Sequence, residues 1–215
     1  MTNDRSVVST VVHSRALRLT QPYTVTETVL EREVRGWEVV VEPVLGSICH
    51  ADLRYFTGNR RPEALKKKLP MALIHEGVGV VVHSSVPERK PGQRVVIVPN
   101  IPGYLYDGTD PDACCPSCRD GVGDNYCGRG RFLGSGFDGI AQSRLVLPAA
   151  CTLPIPDSVP DEMAVLAELC SVSCHAASHA EHRLKQAKVA VFGDGPVGYL
   201  TAAMLRHVYN VDEER

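Results

Sequence analysis

The sequence predicts a mainly β domain followed by the start of an α/β domain, and three observations lead to this fold class. Residues 24–99 contain short β-branched runs separated by proline and glycine turns. Residues 99–139 lack sustained periodicity and are rich in turn residues and cysteines. After residue 160, apolar residues recur at helical spacing, and an apolar run at 188–193 precedes a second helical pattern. A strand-rich region followed by helix, strand and helix is typical of these two fold classes in that order.

Four runs predict strands in the first region. Each combines β-branched or alternating apolar residues with turn residues at its ends, as a partly buried strand requires. These runs are residues 24–30, 37–44, 77–85 and 93–99. Together they predict a barrel-like β region.

Helices dominate the prediction for the second region. The segment DEMAVLAELCSVSCHAASHA (161–180) has apolar residues at helical spacing, with Asp157 and Ser158 before it as candidate cap residues. The run KVAVFG (188–193) predicts a strand, and residues 197–208 predict a helix.

Composition and charge narrow the function classes. The 215 residues are 44% hydrophobic with a net charge of −2, which suits a packed globular core and gives no basic stripe for nucleic acid. Residues 1–30 contain neither a signal-peptide core nor a membrane span, because charged residues interrupt their apolar groups. We therefore expect a cytoplasmic protein that acts on small molecules, without a nucleic-acid or membrane partner.

A glycine-rich turn follows the predicted strand at 188–193. Gly193, Gly195 and Gly198 fit the pattern G-x-G-x-x-G, and Pro196 and Val197 lie between the last two glycines. The tight turn, the close approach to a pyrophosphate and the helix packing each need one of these glycines. The pattern predicts binding of a dinucleotide, NAD or NADP.

The domain prediction follows from the length of chain after this turn. A complete Rossmann fold needs on the order of 150 residues, and only about 28 follow Ala187. We expect a catalytic domain at 1–155, a connecting helical segment at 156–186 and an incomplete Rossmann domain at 187–215. The choice between NAD and NADP cannot be made from this chain, and the whole chain is expected to be a C-terminally truncated fragment.

Several motifs occur in the order found in one enzyme family. These are ICHAD at Cys49, IHEGVG at His75 and Glu76, ELCSV at Glu168, and the turn at Gly193. In this order they resemble the zinc-dependent medium-chain alcohol and polyol dehydrogenases. The resemblance implies a GroES-like catalytic domain, a Rossmann domain and a catalytic zinc held by Cys49, His75 and either Glu76 or Glu168.

The chemistry of these side chains supports the metal site independently. Thiolate, imidazole and carboxylate are ligands that zinc accepts while leaving a position open for water or substrate. His75 and Glu76 can both reach one ion only where a strand ends, since adjacent strand residues point to opposite faces. Otherwise one of them is a ligand and the other supports it. Taken singly, Cys49 and His75 would more often be core residues, and their joint order favours the metal.

A subgroup resemblance is carried by LGSICHADLRYFTGNR, KLPMALIHEGVGVVV and ELCSVSCHA, which look like the ribulose-5-phosphate reductases of the ribitol-phosphate pathway. Ala51 occupies the place of the hydroxyl residue that relays the substrate proton in most alcohol dehydrogenases. His50 or ordered water would then serve as the relay, Asp52 would orient a ligand or the local backbone, and Glu76 would stand beside the metal.

The cysteine-rich loop resembles the structural-zinc lobe of the same family. Its ligands would be Asp112, Cys115, Cys118 and Cys127, with Cys114 as the alternative to Asp112. Reduced cysteines without a metal are the other interpretation, because the spacing is irregular.

The charges that follow Asp52 bear on the substrate. Six basic residues stand close together in a chain that is acidic overall, namely Arg54, Arg60, Arg61, Lys66, Lys67 and Lys68. The lysines would ordinarily lie on a solvated face. Arg54 is our candidate substrate residue, because a guanidinium can bind a phosphate with two hydrogen bonds.

The sequence therefore predicts an oxidoreductase that transfers a hydride between NAD(P)(H) and a polyol or keto-sugar, with ribulose 5-phosphate reduced to ribitol 5-phosphate as the candidate reaction. The alternative is a truncated, non-catalytic zinc-binding fragment of such a dehydrogenase. A metal-dependent hydrolase would have no use for the glycine-rich turn. The sequence is compatible with a homo-oligomer but does not fix the oligomeric state.

Overall fold

The computed structural model describes residues 10–211, apart from residues 185 and 187. The chain divides into two compact units, residues 1–165 and 166–215. This boundary falls inside the predicted connecting segment at 156–186. The predicted ranges 1–155 and 187–215 each include residues that lie outside the described part.

Most of the first unit is antiparallel sheet. Its strands are β1 (Thr10–Gln21), β2 (Thr24–Val34), β3 (Glu38–Ser47), β4 (Met71–Ala72), β5 (Glu76–Ser84), β6 (Arg94–Ile97), β7 (Asn100–Ile101), β8 (Arg131–Phe132), β9 (Leu145–Pro148) and β10 (Thr152–Pro154). They form a sheet in the order β2-β1-β4, a larger sheet in the order β10-β6-β5-β3-β9, and the pair β7-β8. All four predicted strand runs are confirmed, as parts of β2, β3, β5 and β6.

The larger sheet supplies the main core. Val39 and Val41 of β3 alternate with residues of the opposite face, and with Val81 of β5 they are fully buried. Ile101 and Leu133 pack against them in the same cluster. Burial of these β-branched side chains fixes the register of β3 against β5, because a slip of one residue would turn them to the other face.

Short helices connect and follow the strands. They are α1 (His50–Phe56), α2 (Pro62–Lys68), α3 (Gly103–Asp107), α4 (Pro116–Arg119), α5 (Gly123–Tyr126), α6 (Asp161–Ala164), α7 (Ala167–Ser178), α8 (Glu181–Leu184) and α9 (Pro196–His207). Single turns of 3₁₀ helix lie at Pro111–Ala113 and Ala149–Cys151. No helix among the described residues is long and apolar enough to cross a membrane.

Three predictions for the second region need correction. The helix expected at 161–180 is interrupted at Val165, so that α6 and α7 are separate helices. The expected caps, Asp157 and Ser158, do not cap it, since α6 begins after Pro160 without a side-chain cap. The strand expected at 188–193 is not formed. A strand needs a hydrogen-bonded neighbour, and no strand of the second unit lies among the described residues.

Candidate functional site

Cys49 lies at the N-terminus of α1. Its backbone is extended, and its Sγ accepts a hydrogen bond from Ala51 N–H at 3.1 Å. The Asp52 carboxylate accepts a hydrogen bond from the Cys49 N–H at 3.0 Å, which completes a reciprocal cap. The helix start therefore holds the Cys49 thiol in one orientation.

His75 and Glu76 lie where β5 begins. Ile74, directly before them, has a φ of 71°, a left-handed backbone that a β-branched residue rarely adopts. Ile74 N–H donates to Asp52 Oδ1 at 3.0 Å, and Ile74 C=O accepts from Ile140 N–H at 2.8 Å. These two hydrogen bonds stabilise the turn that leaves His75 just outside the strand, as the prediction of a strand end requires.

The three candidate ligands converge in space. Cys49 Sγ lies 3.4 Å from His75 Nε2, which lies 3.9 Å from Glu76 Oε1, and all ligand atoms of the group are within 4.8 Å of one another. Ligands on tetrahedral zinc at 2.0–2.3 Å would be about 3.3–3.6 Å apart. The donor set and its spacing therefore fit a zinc ion.

Electrostatics at this group also favour a cation. Burial raises the pKa of the Cys49 thiol, the N–H groups of Asp52 and Ala51 oppose the shift, and the carboxylates of Asp52 and Glu76 add to it. His75 and Glu76 are 8% and 3% exposed. A divalent cation would stabilise the thiolate and the buried carboxylate together.

Asp52 connects the two segments that carry the ligands. Its side chain is 3% exposed, and its Oδ1 lies 3.8 Å from His75 Nδ1, the ring nitrogen that faces away from Cys49. The His75 ring also contacts the Phe132 ring in an edge-type arrangement, with 5.3 Å between the ring centroids. A carboxylate and an aromatic side chain therefore both contact the ring.

The other predicted site residues near α1 lie on its surface. His50 and Arg54 are exposed. Arg54 follows Asp52 by two residues, which places it on roughly the opposite face of the helix, and its Nε donates to Asn59 C=O at 3.2 Å. Glu168 lies in the first turn of α7, in the second unit, and its place in a metal site stays a prediction.

The second metal group is formed by four cysteines. Cys115 Sγ lies 3.5 Å from Cys118 Sγ and 3.9 Å from Cys127 Sγ, and Cys114 Sγ lies 3.8 Å from Cys127 Sγ. Sulfur atoms on tetrahedral zinc would be about 3.8 Å apart. All eight cysteines lie among the described residues, and none of them forms a disulfide there. The loop is therefore arranged around a four-sulfur site.

This group includes Cys114 in place of Asp112, the first choice of the sequence analysis. Asp112 lies in the 3₁₀ turn, where its N–H donates to Asp110 Oδ1 at 2.9 Å. Cys114 ends that turn, with its N–H bonded to Pro111 C=O, and its Sγ joins the group. The adjacent pair Cys114-Cys115 was the available signal, because Cys114 supplies a fourth sulfur where Asp112 would supply an oxygen.

One thiol of the group is prepared to act as a thiolate. The backbone N–H of Cys118 lowers the pKa of Cys115 to about 6, against the opposing effect of burial. Burial and the neighbouring thiols raise the pKa of Cys118 instead. The Gly103 N–H donates to Cys127 Sγ at 3.3 Å. Backbone donors around the sulfurs are typical of thiolate metal sites.

The predicted dinucleotide turn leads into α9. Gly195 is the N-cap residue and Pro196 begins the helix, followed by Val197. Gly193 has a φ of 117°, and a side chain at Gly198 would overlap the Gly193 carbonyl. The first and third glycines are thus required by the backbone of this turn.

Comparisons with known proteins agree with this arrangement. The family model described as alcohol dehydrogenase GroES-like domain matches residues 35–157. The chain is 36% identical to ribulose-5-phosphate reductase of Bacillus spizizenii over 184 residues, which is 85% of this chain and 50% of that protein. The chain spans about half the length of the curated relatives it matches.

Solved structures show the same fold. L-idonate 5-dehydrogenase of Escherichia coli aligns with a TM-score of 0.78 at 27% identity, covering 92% of this chain and 55% of that one. Staphylococcus aureus TarJ in complex with NADPH aligns with a TM-score of 0.64 at 29% identity, covering 94% and 52%. The family model matches more than half of the chain, and the chain therefore belongs to the medium-chain alcohol dehydrogenase family, through its GroES-like domain.

Proposed function

We propose that this chain forms the metal-binding and substrate-binding part of a zinc-dependent oxidoreductase that transfers a hydride between NAD(P)(H) and a polyol or keto-sugar. The observation that carries the proposal is the convergence of Cys49 Sγ, His75 Nε2 and a Glu76 oxygen within 4.8 Å. A bound zinc would supply Lewis-acid polarisation of a substrate carbonyl and stabilise the alkoxide.

The residues around this group have separate tasks in the proposal. Cys49, His75 and Glu76 hold the metal, and Asp52 orients both ligand segments through the Cys49 and Ile74 N–H groups. In the alternative ligand set, suggested by the resemblance to polyol dehydrogenases, Glu168 replaces Glu76.

Proton transfer needs a different group from the usual hydroxyl, because Ala51 has none. His50 is exposed and directly follows Cys49, so it can exchange a proton with solvent beside the site. The cofactor would lie against Gly193, Gly195, Pro196, Val197 and Gly198 at the start of α9. NADPH is bound in the Staphylococcus aureus TarJ structure and NADH in the rspB structure of Escherichia coli, so the proposal takes either dinucleotide as the cofactor.

Ribulose 5-phosphate is the substrate we propose among the keto-sugars. Three relatives at 36–39% identity are named ribulose-5-phosphate reductase. The basic residues after Asp52 agree with a phosphorylated substrate. Arg54, the candidate phosphate residue of the sequence analysis, lies on the exposed face of α1.

Metal analysis and sugar binding test this function. The chain purified without chelators should contain two zinc ions, and Cys49→Ala should contain one. Cys170→Ala is the matched control, since Cys170 is half-buried and lies outside both metal groups. Calorimetry on the zinc-loaded chain should detect binding of ribulose 5-phosphate. A preparation that contains no zinc, or zinc-loaded chain that binds no keto-sugar, would contradict the proposal.

A further inference from the structure

The side chains of Tyr55, Lys68 and Ser135 form a hydrogen-bonded cluster that lies outside both metal groups. Lys68 Nζ donates to Tyr55 Oη at 2.9 Å and to Ser135 Oγ at 2.7 Å, and the two hydroxyls are 3.1 Å apart. Tyr55 is 3% exposed, and Lys68 and Ser135 are half-buried. The ammonium of a half-buried lysine is therefore hydrogen-bonded to two hydroxyls.

A second cation lies on the same ring. The Arg60 guanidinium is centred 4.5 Å above the Tyr55 ring, and the Lys68 ammonium lies 5.6 Å from the ring centroid. Arg60 Nε is buried and has no hydrogen-bond partner. Among the described residues, neither cation forms an ion pair with a carboxylate. A buried donor without an acceptor costs free energy, which an anionic ligand would recover.

The ionisation of Tyr55 reports the same excess of positive charge. Burial raises the pKa of its hydroxyl, but the hydrogen bonds from Lys68 and Ser135 and the charges of Lys68 and Arg60 outweigh burial, so that the pKa is lowered. The local potential therefore favours an anion.

The cluster is close to the candidate catalytic metal group along the chain. Tyr55 lies six residues after Cys49, about 9 Å along α1 at 1.5 Å per residue. Ser135 follows Gly134, which packs against the backbone of Ile74, the residue before His75. Both segments that supply the hydroxyls are thus connected to segments that supply the metal ligands.

We propose that Arg60, Lys68, Tyr55 and Ser135 form a binding site for the phosphate of a phosphorylated sugar whose carbonyl reaches the Cys49 group. This rests on the proposed function. Lys68 supplies a point charge, Arg60 supplies planar N–H donors, and the two hydroxyls can rotate to donate to phosphate oxygens. Arg54 is exposed and its Nε donates to the Asn59 carbonyl, so we do not include it in this site.

Charge-removing variants test the site in the zinc-loaded full chain. Lys68→Met keeps most of the aliphatic stem and removes the ammonium, and Lys67→Met removes the neighbouring charge on the exposed side of α2. Calorimetric titrations use ribulose 5-phosphate, ribulose and inorganic phosphate. Lys68→Met and Arg60→Gln should each weaken the affinity for ribulose 5-phosphate by about tenfold or more. The affinity of each variant for ribulose should stay within about twofold of that of the unsubstituted chain. Lys67→Met should leave the affinities for both sugars within about twofold of those of the unsubstituted chain.

The outcomes separate this site from the proposed function. Lys68→Met with an unchanged ratio of ribulose 5-phosphate to ribulose affinity would overturn the phosphate site and leave the function standing. Lys68-dependent binding of inorganic phosphate without any sugar binding would support the anion site and contradict the function. If Lys68→Met does not fold, Lys68→Arg and Ser135→Ala test the site instead. Lys68→Arg should retain most of the preference for ribulose 5-phosphate over ribulose, and Ser135→Ala should reduce this preference. The opposite order would refute the site.

Discussion

The carboxylate of Asp52 provides the sharpest test of how the site is held. It accepts hydrogen bonds from the N–H groups of Cys49 and Ile74, both at 3.0 Å, in a position where Asp52 is only 3% exposed. Asp52→Ala removes both acceptors. Each unsatisfied buried donor costs about 1–3 kcal/mol, so the free energy of unfolding should fall by about 2–6 kcal/mol. Asp52→Asn keeps one oxygen acceptor, so its free energy of unfolding should fall by about half as much.

Zinc affinity should follow the same order. Because the two hydrogen bonds position Cys49 and the turn before His75, Asp52→Ala should weaken zinc binding by about 10- to 100-fold. Urea unfolding of the metal-free chain measures the stability, and competition with a chelator measures the affinity. Asp157→Ala is the control, since Asp157 is exposed. The reasoning fails if Asp52→Ala and Asp157→Ala give the same urea midpoint and the same zinc affinity.

Three further outcomes are expected. Cys118→Ser should lose one of two zinc ions and the order of its loop, whereas Cys151→Ser should keep both ions by metal analysis; equal zinc content in the two variants would argue against the four-sulfur site. In zinc-free chain at pH 7, Cys115 should be alkylated fastest, because a pKa of about 6 leaves it mostly thiolate, and zinc should protect it; mass spectrometry reports both effects, and uniform labelling would contradict them. Gly139→Ala should cost about 1–3 kcal/mol in a thermal melt, since its Cβ would overlap the Ile74 carbonyl, and an unchanged melting temperature would refute that contact.

The strands of the first unit were predictable because local pattern and final environment agree. β-branched runs such as 37–44 and 77–85 become adjacent strands whose apolar faces are buried. β1 is not among the strands predicted from the sequence, because its charged residues alternate with apolar ones and break up the apolar run. The alternation is nevertheless typical of a strand with one solvated face, which β1 has.

Elements that depend on distant partners were harder to predict. The apolar run at 188–193 has strand character, yet Val191 and Phe192 are 40% and 96% exposed and have no strand beside them among the described residues. The helix pattern at 161–180 could not show the interruption at Val165. Hydrophobic periodicity indicates which face is buried, but not whether a hydrogen-bonded neighbour exists.

Some residues of the candidate sites were predictable from the sequence and others were not. Cys49, His75 and Glu76 were identified from their motifs, and the structure brings them together. The cluster of Arg60, Lys68, Tyr55 and Ser135 was not predictable as a group, since Tyr55 and Ser135 are 80 residues apart and polar residues at that separation carry no shared pattern. Only the fold brings them together.

A metal explains the group at Cys49 better than a network of hydrogen bonds does. His75 Nε2 carries at most one proton, and it faces Cys49 Sγ at 3.4 Å and Glu76 Oε1 at 3.9 Å, the second distance being too long for a hydrogen bond. Glu76 is 3% exposed, so its carboxylate has little contact with water. Such burial is costly unless the charge is neutralised or bound to a metal. The left-handed turn at Ile74 and the Asp52 hydrogen bonds maintain this arrangement at the cost of backbone strain. They hold a thiol, an imidazole and a carboxylate close to one position. This is the donor set that the proposed zinc ion requires.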